Sequence, residues 1–158
     1  MEKELVLKAI RNNELVECLE GKGDYKIELD KWVNASAPTD WLRVIEKGIY
    51  RIYHDNPEMQ IEKRFEDTLL KMMDGEPFDI YVAAAVFYSQ LIIEYEGDSP
   101  FSIDRNRLLQ KIRKVLSDNE QKLRGSFESV GKNCREGLWS EIIRIDTNCK
   151  NNWNLSIL

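Results

Sequence analysis

The sequence predicts an all-α protein, built as a single-domain bundle or a short stack of antiparallel helical hairpins, with six to seven helices and an irregular C-terminal tail. Over most of the 158 residues, apolar side chains recur at intervals of three and four, the spacing that places them on one helical face. Short segments rich in proline, glycine and asparagine separate these stretches, and such short connections join antiparallel neighbours. We therefore expect one domain over residues 1–158, with a helical core in 1–146 and a tail in 147–158.

The first part of the chain contains two short helical patterns and one ambiguous segment. The patterns cover residues 5–10 and 15–19, and either Asn12 or Asn13 is expected to cap the second helix, because an asparagine side chain accepts from free backbone N–H groups. Segment 24–36 is ambiguous, since its first half alternates as in a strand whereas its second half has helical spacing. We favour a helix for this segment.

Three longer helices follow in the middle of the chain. The first is expected to begin at Thr39 or Asp40, and Trp41 on its apolar stripe is predicted to be buried. Asn56-Pro57 should end that helix and start the second, because proline is tolerated in a first turn. The third, from about Phe78 to Tyr95, is apolar nearly all round. A helix without a polar face is usually central, so we expect it to form the core.

The C-terminal part predicts two further helices and a tail. One amphipathic helix starts before Leu108, continues towards Leu123 and ends at Gly125. A last helix is predicted around residues 138–143. The tail from Thr147 is rich in asparagine and is expected to be irregular, with its final apolar residues docking back as an extended segment. Of the four tryptophans, Trp153 in this tail is the one expected to be exposed.

Charge and hydropathy exclude several classes of function. The net charge is −5, and residues 1–80 carry 12 Lys/Arg against 18 Asp/Glu, whereas residues 81–158 carry 11 against 10. This acidic balance disfavours a nucleic-acid or anionic-membrane binder. The most apolar stretch, Tyr81 to Ile93, is shorter than the roughly 20 residues that a membrane span requires. Without an apolar leader after Met1, we expect a cytoplasmic protein.

The residues that usually carry catalysis or bind metals are sparse. His54 is the only histidine, so one chain has no two-histidine metal site, and its position predicts a helix-end residue in contact with solvent. The three cysteines, Cys18, Cys134 and Cys149, are far apart and are expected to be reduced and buried. No phosphate-binding or nucleophile motif occurs. We therefore expect no cofactor, no metal and no catalytic residue.

Two charged surfaces remain as candidate binding sites for a protein partner. Like charges at i and i+4 on an exposed helix repel each other by about 0.2–0.5 kcal/mol, and this cost suggests that a protein partner uses the acidic stripe. The stripe can equally be an ordinary solvated helix face. The acidic candidates are Glu58, Glu62, Glu66, Asp67, Asp74 and Glu76. The alternative is a basic set around an amphipathic helix, which could bind an acidic partner. Its members are Arg105, Arg107, Lys111 and Lys114.

In its size, acidic balance and solitary all-helical domain, the whole chain resembles the bacterial immunity proteins that neutralise polymorphic or contact-dependent toxins. The resemblance implies tight binding to a cognate toxin, often a basic nuclease, and a steric and electrostatic block of its active site. Two alternatives stay open. One is a helical scaffold or regulator that binds a peptide or helix in a groove beside Arg107 and Lys111. The other is an enzyme with an unfamiliar carboxylate site, which would need acidic residues converging in a pocket.

Overall fold

The computed structural model describes residues 2–55, 60–96, 104–126 and 137–158, and the all-α fold class is confirmed. In the described ranges the helices are α1 (Glu2–Arg11), α2 (Leu15–Glu20), α3 (Tyr25–Ala35), α4 (Pro38–Asp55), α5 (Gln60–Met72), α6 (Pro77–Glu96), α7 (Arg105–Asp118), α8 (Glu120–Arg124) and α9 (Gly137–Trp153). These nine exceed the predicted six to seven, in part because the helix predicted to end at Gly125 is divided into α7 and α8. The predicted helix start at Asn56-Pro57 lies outside the described residues.

Helix α6 lies at the centre of the fold, as its all-round apolar sequence predicted. It packs against α4, α5, α7 and α9. Its middle residues Ala83 to Ala85 are almost fully buried, and their small side chains let the neighbouring helices come close. Within the described part of the chain, none of the helices is both long and apolar enough to cross a membrane.

Helices α1, α2 and α3 pack against one another, and each of them also contacts α4. The ambiguous segment 24–36 is helical, as favoured, because Leu29 and Trp32 of α3 are buried in the core. The prediction of an asparagine cap before α2 was wrong. Asn13 has a left-handed φ of 65°, and the residue before α2 is Glu14, which makes no capping side-chain bond. A short polar side chain tolerates that conformation, so Asn13 turns the chain after α1.

The single helix that was predicted to carry Leu108 and to end at Gly125 is divided at Asn119. The Asn119 side-chain amide donates to the carbonyl of Val115 at 2.8 Å, and the Asn119 backbone N–H donates to the same carbonyl at 3.0 Å. An asparagine that competes locally for backbone groups favours a turn over a continuing helix. The chain therefore forms α7 and a separate α8, in which Leu123 is buried.

The tail prediction was wrong for residues 147–153, which continue α9. Cys149 is fully buried and extends the apolar stripe of that helix, while Asn151 and Asn152 lie on its exposed side. The last residues do dock back, as predicted, because Ile157 is buried. Trp153 is half-buried rather than exposed, and its ring stacks on Tyr95 with 5.1 Å between centroids.

Candidate functional site

The two inner glutamates of the predicted acidic stripe face other parts of the protein. Glu66 is buried and accepts a hydrogen bond from the backbone N–H of Asp104, just before α7 begins. Glu62 is half-buried, and its pKa is raised by burial and by the neighbouring charge of Glu66. Glu66 therefore joins α5 to the start of α7, and neither carboxylate is fully presented to a partner.

The outer members of the acidic set are exposed and lie towards the C-terminal end of α5. Asp67 is on α5, whereas Asp74 and Glu76 belong to the turn between α5 and α6. The turn is shaped by the Glu76 backbone N–H, which donates to the Asp79 carboxylate at 3.0 Å. Glu58 lies outside the described residues. The structure thus divides the predicted stripe into an inner pair and an exposed group.

The alternative basic set is also divided. Arg105 lies over the ring of Tyr95, 5.0 Å from its centroid, and donates to the Tyr95 hydroxyl at 2.6 Å. Lys111 forms an ion pair with Asp74 at 2.6 Å, so the acidic turn and the basic helix adjoin each other. Arg107 and Lys114 are exposed. Two of the four basic residues are therefore engaged within the protein.

A groove of about 770 Å³ lies between α2 and α3 on one side and α5 with the start of α6 on the other. Leu19, Leu29 and Met72 supply its apolar lining, and charged side chains form most of the rest. None of the groove residues belongs to α7. It is therefore not the groove that the scaffold hypothesis placed beside Arg107 and Lys111.

An arginine clasp joins the two walls of this groove. Arg64 of α5 donates to Glu17 at 3.0 Å and to Glu20 at 2.9 Å, and both acceptors belong to α2. The hydrogen bond from Arg64 lowers the pKa of Glu20, while the same pairing raises the pKa of Arg64 further above its ordinary range. The guanidinium thus connects two helices that are far apart in sequence.

A lysine clasp joins α3 to α6 within the same groove. Lys26 forms an ion pair with Asp30 at 2.7 Å and another with Asp79. Burial by itself lowers the pKa of Lys26, but the hydrogen bonds with both carboxylates outweigh it and the pKa is raised. The ammonium therefore stays charged at neutral pH.

The two described cysteines are buried and unreactive. Burial raises the pKa of Cys18 to about 12 and that of Cys149 to about 12, so both remain protonated thiols at neutral pH. Cys134 and the side chain of His54 lie outside the described residues. In the ranges that the structure covers, no three His, Cys, Asp or Glu side chains are grouped so that they could hold a metal ion.

The groove is the feature that the sequence patterns did not indicate. Arg64 is flanked by Glu62 and Glu66 and looked like an ordinary member of a solvated helix face. Its partners Glu17 and Glu20 are more than 40 residues away, and helical spacing carries no information on such contacts.

Residues 2–135, which include α1 to α8, match the family described as IFS, the immunity factor for SPN. No curated protein and no solved structure matches the chain. The chain thus belongs to the family of immunity factors for SPN, and it is an immunity protein that neutralises a cognate toxin.

Proposed function

We propose that the cognate toxin is a protein of the SPN kind, and that this chain neutralises it without catalysis, by binding over its active site. The observation that carries the proposal is the family match over residues 2–135. A binding protein needs only a complementary outer surface, and the described thiols are buried and protonated.

The surface that we assign to the toxin is centred on the turn between α5 and α6. Asp74 and Glu76 are exposed there. Because charges at the edge of an interface act mainly on the encounter rate, this acidic group would draw in a toxin with a basic active-site rim. Glu66 supports the surface from within by joining α5 to the start of α7.

The proposal is tested by mixing the purified chain with a purified toxin of the SPN kind and measuring both complex formation and toxin activity. We expect a stable complex and a progressive loss of toxin activity up to a one-to-one ratio. Incubation with this chain followed by its removal should return a fully active and unmodified toxin, because the inhibition involves no chemistry on the toxin. Absence of a complex, or a covalent change in the toxin's mass, would contradict the proposal.

Reversing the charge of the exposed turn should weaken that complex. The variant Asp74→Lys/Glu76→Lys is expected to raise the Kd roughly tenfold and mainly to slow association, with a weaker dependence on salt than the original chain. A matched control is Glu96→Lys/Asp118→Lys, which changes the total charge equally at two exposed helix ends. Equal effects of the two variants would show that net charge matters rather than this turn.

A further inference from the structure

The charges in the groove do not all compensate each other. Glu20 accepts a hydrogen bond from Arg64, and Asp30 and Asp79 both form ion pairs with Lys26. Three groove residues of α5 remain, namely Lys63, Asp67 and Lys71, and none of them forms an ion pair with any described residue. All three are exposed. The wall formed by α5 therefore presents charges that are available to a partner.

These three residues form an ordered pattern of positive, negative and positive charge. They stand at i, i+4 and i+8, so they share one face of α5. At a rise of about 1.5 Å per residue, successive charges are about 6 Å apart along the helix axis. The lysine stems are longer than that of aspartate, and the outer edge of the wall is therefore dominated by the two ammonium groups.

The groove beneath this pattern is already formed in the isolated chain. The Arg64 clasp joins α5 to α2, and the Lys26 clasp joins α3 to α6. Leu19 and Leu29 are buried at its floor, and the half-buried Met72 offers an adaptable apolar contact. A groove held open in this way loses little conformational freedom on binding, which favours affinity.

We propose that this groove receives a segment of the cognate toxin in which a basic side chain lies between two acidic ones, with an apolar residue over Met72. This inference rests on the proposed function, because the toxin is its occupant. The acidic side chains of the segment pair with Lys63 and Lys71, and the basic one pairs with Asp67. The required spacing of about 6 Å corresponds to every fourth residue of a toxin helix or every second residue of an extended strand.

The experiment exchanges two charges without changing the net charge. In Lys63→Asp/Asp67→Lys the pattern on α5 becomes negative, positive, positive, and the new acid–base order along the helix is a favourable one for stability. We expect the Kd for the toxin to rise at least about tenfold, because two of three ion pairs become repulsive. The control Asp118→Lys/Lys122→Asp, where α7 meets α8, also exchanges opposite charges at the same spacing between exposed residues and should leave the Kd unchanged.

The outcomes separate this inference from the proposed function. If the original chain binds the toxin and the exchange on α5 weakens binding while the control exchange does not, the groove is the docking site. If the exchange on α5 leaves the Kd unchanged, or both exchanges weaken binding equally, the groove assignment is overturned and the proposed function stands. If the original chain does not bind the toxin at all, the proposed function itself fails. Thermal unfolding of each variant checks that the fold is retained.

Discussion

Replacing Phe87 by alanine should lower the free energy of unfolding by about 3–5 kcal/mol, the range observed when a large aromatic side chain is removed from a core. Phe87 lies in the middle of α6 and is completely buried. Because α6 packs against α4, α5, α7 and α9, a cavity at this position removes contacts with the central helix of the fold. Urea denaturation followed by circular dichroism measures the change.

The matched control for this substitution is Ile27→Ala on α3. Ile27 is an apolar side chain that is 55% exposed, so its truncation removes little buried area and should change the free energy of unfolding by less than about 1 kcal/mol. A similar small loss for Phe87→Ala would mean that α6 is not the centre of the core. The sequence had already indicated this position, since α6 shows no polar face.

The fold could be predicted where apolar spacing was continuous, and it was mispredicted where a single polar residue decided the local conformation. Trp41 and the residues of α6 are buried as expected, because hydrophobic burial follows the helical period. The side chain of Asn119 ends α7 by donating a hydrogen bond to the carbonyl of Val115. The spacing of the apolar residues does not predict that break. In α9 the error was the opposite one. The asparagine-rich composition of residues 147–153 was taken to indicate an irregular tail, although the apolar spacing there is helical. Ile145 and Cys149 continue the stripe of Leu138 and Ile142 at intervals of three and four.

The sequence allowed a more specific prediction of the class of function than of the binding site. Size, charge and helical character suggested an immunity protein, and the family match supports the same class. The sequence alone suggested that the whole acidic stripe lies on the surface, yet Glu66 is buried. Its carboxylate accepts a hydrogen bond from the backbone N–H of Asp104, which is 38 residues further along the chain. The groove depends on equally distant pairs such as Arg64 with Glu20. Contacts of this kind are set by helix packing, which local periodicity does not encode.

The docking of the last residues depends on Asp146, a buried carboxylate in the middle of α9. Its Oδ1 accepts from the Ile157 backbone N–H at 2.8 Å and from the Ser156 hydroxyl at 3.0 Å, while Lys150 pairs with Oδ2 at 2.9 Å. On its other side, the carbonyl of Ser156 accepts from Arg113 of α7 at 2.9 Å. The segment is therefore held between two helices by charged groups.

Replacing Asp146 by alanine should lower the free energy of unfolding by about 2–3 kcal/mol, because the buried N–H of Ile157 loses a charged acceptor. Asp146→Asn keeps the volume and one acceptor oxygen, so a smaller loss is expected. Hydrogen exchange should show the amide of Ile157 becoming unprotected in the alanine variant. The control is Asp118→Asn at an exposed helix end, which should change stability by less than about 0.5 kcal/mol. An Ile157 amide that stays protected without Asp146 would contradict this account.

The same carboxylate makes the docking sensitive to acid. Burial by itself raises the pKa of Asp146, but the bonds from Lys150, Ile157 and Ser156 outweigh it and hold the pKa below its ordinary value of 3.8. A carboxylate with a lowered folded-state pKa stabilises the fold fully above its unfolded-state value, and that contribution disappears as the pH falls through the folded-state pKa. The stability difference between the original chain and Asp146→Asn should therefore be constant near neutral pH and shrink below about pH 3.8. A difference that persisted unchanged at pH 2 would show that the ionisation of Asp146 does not hold the segment in place.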